Sequence, residues 1–115
     1  MEQGLINHFK EYKIWYNATK NRFIEAKKEF ANFKALDYPT DEQIYKIVST
    51  QDDLFHLNYM LMASWLSVNN IKANYPEDMI AEIDAYHLLN KRASWLVGEI
   101  NKYVKSLNGE KENLV

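Results

Sequence analysis

Leu5, Phe9, Tyr12, Tyr16, Thr19, Phe23, Ala26, Phe30 and Phe33 follow one another at spacings that alternate four and three. A stripe held over four heptads predicts a long helix packed in a coiled-coil-like seam, over about residues 4–37. Pro39 ends it. Thr40 then offers an N-cap, with Gln43 positioned for a capping box and Asp41 and Glu42 favouring the positive helix end. A second helix is expected over about 41–73, its apolar positions Ile44, Ile47, Val48, Leu54, Leu57, Leu61, Trp65 and Val68 covering nearly half the circumference. Ser49 and Thr50, followed by Asp52 and Asp53, form a second capping signal, so a break there is the alternative.

Pro76 suits the first turn of a third helix, over about 76–108. Its core face is Met79, Ile83, Tyr86, Leu89, Ala93, Leu96, Ile100, Tyr103, Val104 and Leu107. Lys102 and Lys105 complement the negative end, Gly109 offers a left-handed C′ residue, and 110–115 are expected to form a flexible tail. Short connections force neighbours to be antiparallel. The expected fold is therefore all-α: one domain over 1–109, an up-down-up bundle of three long helices. Helices of about 45–50 Å make a thin rod with little interior per residue.

Charge changes this picture most in the second helix. From Leu54 to Ile71 the run LFHLNYMLMASWLSVNNI holds eighteen residues without Asp, Glu, Lys or Arg, in a chain that is 26% charged. Such a helix needs cover nearly all round, more than two neighbours supply, and a homodimer is the economical way to provide it. The run approaches membrane-spanning length, but His56, Asn58, Asn69 and Asn70 interrupt it and no lysine cluster flanks it. It is read as a buried helix, and no membrane is expected as a partner.

Composition bounds the rest. At 115 residues, 47% apolar, with five Phe, eight Tyr and three Trp, the chain is a single ordered domain. A formal charge of -2 argues against a general nucleic-acid binder. The absence of Cys excludes disulfides and thiol chemistry and suits a reducing, cytoplasmic setting. The first residues lack the pattern of a signal peptide. Lys outnumbers Arg twelve to two, and Asn, Ile and Tyr are abundant, as in an AT-rich coding sequence from a phage or low-GC bacterium.

Candidate chemistry is thin. Asp53 with His56, and Asp84 with His87, each place a carboxylate and an imidazole three apart, the relation used in di-iron bundles. The expected register sets the pairs roughly 10 Å or more apart along the rod, too far to share a metal. No thiol, phosphate loop or nucleophile elbow is present, and the serines of the two ASWL segments, whose repetition reads as coincidence, fall in mid-helix. No catalytic residue, metal or cofactor is expected.

Two surface features remain. Lys13, Lys20, Lys27 and Lys34 recur every seven residues, and residues 1–36 carry seven basic and four acidic groups. Beside Tyr12, Trp15 and Tyr16 this row is a candidate single-strand nucleic-acid contact. The competing reading is a solvated bundle edge, with Asp84 and Glu99 near the levels of Lys13 and Lys27. Trp95, Leu88 and Ala81 fall at seven-residue intervals off the core face, and with Ile14 and Met60 they are candidate protein-contact residues. The expected function is a non-enzymatic, self-associating protein–protein interaction module, an adaptor, antagonist or assembly factor directed at an unidentified protein. A phage origin and a host target would suit it. A single-strand nucleic-acid mediator is the first alternative and a helical-bundle metalloenzyme the second. No small-molecule substrate is expected.

Overall fold

The computed structural model describes the backbone of residues 1–113 and the side chains of residues 1–109. Its helices are α1 (Gln3–Lys34), α2 (Asp41–Asn70), α3 (Glu77–Asp84) and α4 (Tyr86–Asn113), with a 3-10 turn over Lys72–Asn74. They form an all-α, up-down-up bundle in which α3 and α4 together make the third arm. No strand occurs among the described residues, and no helix there is long and apolar enough to cross a membrane.

The capping box at the start of α2 is formed in full. Thr40 Oγ1 accepts from the Gln43 amide at 3.1 Å, and the Gln43 side chain accepts from the Thr40 amide at 2.9 Å. The second capping signal does not break the helix. Thr50 is buried, and its hydroxyl points to Glu29 Oε2 at 2.7 Å and the Lys46 carbonyl at 3.1 Å rather than capping a new start. α1 stops sooner than expected, where the Ala35 amide closes on the Asn32 and Phe33 carbonyls.

Two expectations about the third arm are corrected. Gly109 is not a left-handed cap. No described glycine has a positive φ, and α4 continues to Asn113. One glycine costs a helix about 1 kcal/mol, too little by itself to end it. Of the expected tail, 110–113 are thus helical, and Leu114 and Val115 lie outside the described residues. The arm is also interrupted at Ala85, and the cause is Tyr12.

Tyr12 is fully buried, and its phenol donates to the Glu82 carbonyl at 2.7 Å. The Tyr86 amide, which a continuous helix would direct at that carbonyl, faces the phenol oxygen instead. The side chain has inserted into the helical ladder, an established cause of helix breaks. Burial above all, with Tyr16, Glu82 and Asp84 nearby, pushes the phenol far above its ordinary pKa, so it stays a neutral donor. A second phenol clasps the same end: Tyr75 donates to the Leu5 carbonyl at 2.8 Å.

The rod measures 63 × 18 × 18 Å, with a radius of gyration of 17.8 Å. A compact domain of this length would have a radius of gyration of about 13 Å, so interior is scarce. Two apolar clusters share it. One joins Phe30, Phe33, Ile47, Leu54, Leu96 and Ile100. The other joins Tyr12, Leu61, Val68, Tyr75, Ile83 and Tyr86, with Trp65 stacked on Tyr86 at 4.4 Å. A polar layer lies between them. There Thr19 donates to the Leu57 carbonyl at 3.1 Å, Asn90 donates to Asn58 at 3.2 Å, and Asn58 donates to Ser94 at 3.1 Å.

Tyr12→Phe keeps the ring and strands the Glu82 carbonyl and Tyr86 amide. It should cost about 1–2 kcal/mol in urea denaturation while circular dichroism stays helical. Unchanged stability would mean that the ladder closes unaided.

Candidate interaction surfaces

α2 packs on α1 along one flank and on α4 along the other, which leaves a strip beyond α4 open. Phe55, Tyr59 and Leu66 lie on that strip, 62%, 55% and 46% exposed. The spacing from 55 to 59 to 66 keeps them on one helical face. Phe55, Tyr59 and Met62 form one wall of a groove of about 340 Å³, and Asn90, Ser94 and Val97 of α4 form the other. Asn58 lies at its base, holding Asn90 and Ser94 together. No residue lining the groove is charged. The charge-free run therefore divides between the core (Leu54, Leu61, Val68) and this open aromatic strip.

The candidate contact residues do not converge. Trp95 and Leu88 are 58% and 54% exposed, and Ala81 is exposed one heptad before Leu88 on the same side. Ile14 is 65% exposed on the outer side of α1. Met60 is half-buried in a different place, a cleft of about 190 Å³ between α1 and α2 shared with His8, Glu11, Trp15 and Ser67. These residues occupy three separate sites. Phe55 and Tyr59 escaped the sequence reading because the apolar arc of α2 does not show which part its neighbours leave uncovered.

The lysine row follows the seam of α1 with the third arm. Lys13 pairs with Glu82 at 3.3 Å and lies over the Tyr16 ring at 5.1 Å. Lys34 lies over the Phe30 ring at 4.5 Å. The acids expected opposite the row are engaged elsewhere: Asp84 with Lys72 at 3.1 Å and Glu99 with Lys102 at 3.9 Å. Lys20 and Lys27 are exposed and make no ion pair among the described residues. The aromatics beside the row are turned inward. Tyr12 is buried, and Trp15 and Tyr16 pack against the core.

Among the described residues no group of three His, Cys, Asp or Glu is placed to hold a metal. His56 and His87 are exposed, and His87 meets the Trp65 ring edge-on at 5.1 Å. The most connected carboxylate is Glu29, beside a cleft of about 290 Å³ formed with Phe33, Leu36, Gln43 and Ile47. Arg22 bridges Glu29 at 3.1 Å and Asp53 at 3.6 Å, tying α1 to α2. Burial acts against the Glu29 charge, but hydrogen bonds from Arg22 and Thr50 and the charges of Arg22 and Lys46 outweigh it and lower its pKa. This cluster is a structural clamp. Comparison with known protein families, curated proteins and solved structures finds no match.

A lowered pKa means that the clamp stabilises the fold above the ordinary carboxylate range and is lost as pH falls through the folded-state value. Glu29→Gln should therefore lower the urea midpoint at neutral pH, with the gap to wild type closing in acid. A gap that persists in acid would assign the loss to packing rather than charge.

Proposed function

We propose that this chain is a non-enzymatic helical interaction module that self-associates through the groove between α2 and α4. It would serve as an adaptor, antagonist or assembly factor in the cytoplasm. The observation that carries this reading is the exposed strip of Phe55, Tyr59 and Leu66 beside a groove with no charge. Exposed aromatics in an apolar setting are the usual anchors of protein interfaces.

A second copy is the occupant that fits the chemistry. A neutral groove offers no ion-pair partner to a charged protein, yet it meets its own image without like-charge repulsion. Tyr59 is exposed and its hydroxyl carries donor and acceptor, so it can pair with its own copy near a two-fold axis. Antiparallel docking of two α2 helices places Phe55 near Leu66 of the other copy and completes the cover that a three-helix rod lacks.

Light scattering of the full chain should give a dimer at micromolar concentration. Phe55→Asp and Tyr59→Asp should each cost association about 2 kcal/mol or more and shift the protein to monomer, with helical content unchanged. A wild-type monomer at high micromolar concentration would overturn this reading.

A further inference from the structure

We infer that the face shared by α1 and the third arm docks on an anionic membrane surface, independently of the groove proposed for self-association. No helix among the described residues is long and apolar enough to cross a membrane. A peripheral surface makes a different demand, and it is met only when two helices are brought side by side.

Ion pairs fix the orientation of α1. Lys13 reaches Glu82 of α3, while Arg22 and Glu29 reach Asp53 and Thr50 of α2. At about 100° per residue, all six lysines of α1 fall within about 60° of Lys13. Its three acids, Glu11, Glu25 and Glu29, lie about 120° or more from Lys13. The helix thus sorts its charges: acids on the side nearer α2, ammonium groups on the side shared with the third arm and solvent.

The third arm adds to the same face. Tyr12 lies level with Glu82 and Phe30 with Tyr103, so α4 runs parallel to α1 and brings Lys91, Arg92 and Trp95 to the stretch between Lys20 and Lys27. Lys91 and Arg92 are exposed. Of the acids on this side, Glu82, Asp84 and Glu99 are each held by a lysine, and Asp78, four residues before Glu82 on α3, is exposed at one end of the face. With a formal charge of only -2 for the whole chain, the molecule is polarised rather than basic.

The apolar residues on this face select among anionic partners. Ile24, Leu88 and Trp95 are 43%, 54% and 58% exposed among the cations. Aliphatic side chains gain little against phosphates and stacked bases, whereas the boundary between headgroups and acyl chains takes them readily. Tryptophan favours that boundary, and lysine stems lie along it with their ammonium groups at the phosphates. A single strand needs successive rings to stack on, and among the described residues Trp95 is the one exposed ring on this face. Basic clusters bind the anionic cytoplasmic leaflet in this way.

The full chain should sediment with vesicles of phosphatidylcholine mixed with phosphatidylglycerol, should not sediment with phosphatidylcholine alone, and should be released by salt. Tryptophan emission should shift to the blue on binding, and Trp95→Phe should abolish the shift while Trp15 and Trp65 remain. Lys20→Glu combined with Lys27→Glu should weaken vesicle binding by at least roughly thirtyfold, whereas the corresponding arginine pair should keep it. Both lysines are exposed, so circular dichroism should be the same for both pairs. Equal sedimentation with both vesicle types, or binding indifferent to the glutamate pair, would overturn the inference. Retention on single-stranded DNA at a salt concentration that releases the vesicles would reassign the face to nucleic acid.

Discussion

The Tyr12 phenol occupies a position in the third arm where a backbone amide would otherwise close on the Glu82 carbonyl. A hydrogen bond between a side chain of one helix and the ladder of another locks axial position as well as distance. Greasy contacts along a heptad seam cannot do that, because they are nearly equivalent after a slip of seven residues. With this bond in place, Lys13 meets Glu82, Phe30 and Phe33 meet Tyr103, and the levels of every exposed residue on α1 and α4 follow. The neutral phenol loses nothing by titration, since burial holds its pKa far above the physiological range.

The helices were legible because each carries redundant local signals. The seam of α1 repeats without a fault, and Thr40 and Gln43 announce the α2 start with the two hydrogen bonds that form. The Ala85 interruption was not legible. Nothing near it disfavours a helix, and its cause lies some seventy residues upstream in Tyr12. The expected partner of Lys13 differs too: Glu82 pairs with it, while Asp84 is engaged by Lys72. Gly109 misled by type alone, since a glycine followed by helix formers remains helical unless something requires a turn.

The surfaces were harder to read than the core. A helical wheel gives the angular position of Phe55 or Trp95 but not the angles at which neighbours stand. α2 has α1 on one flank and α4 on the other, so the part of its apolar arc beyond α4 is exposed. Ile24 and Trp95 belong to different helices, and their common side becomes visible only once the parallel register of α1 and α4 is fixed. Sequence separates an apolar stripe from a polar one reliably; it does not join two half-faces into one surface.

The polar layer between the two apolar clusters resolves a difficulty created by the regular seam. Apolar residues at every heptad position bind strongly but match equally well in more than one register, so they specify the alignment poorly. Thr19 and Asn58 break that equivalence, because both are buried and their hydrogen bonds, to the Leu57 carbonyl and to Asn90 and Ser94, form in one alignment and are lost in a shifted one. A buried asparagine that fixes register at some expense in stability is a known device of coiled coils. Here it sits near mid-rod, where a slip started from either end would have to pass. Asn58 also forms the base of the α2–α4 groove, so the residue that holds the register also ties the two walls of the groove together through Asn90 and Ser94.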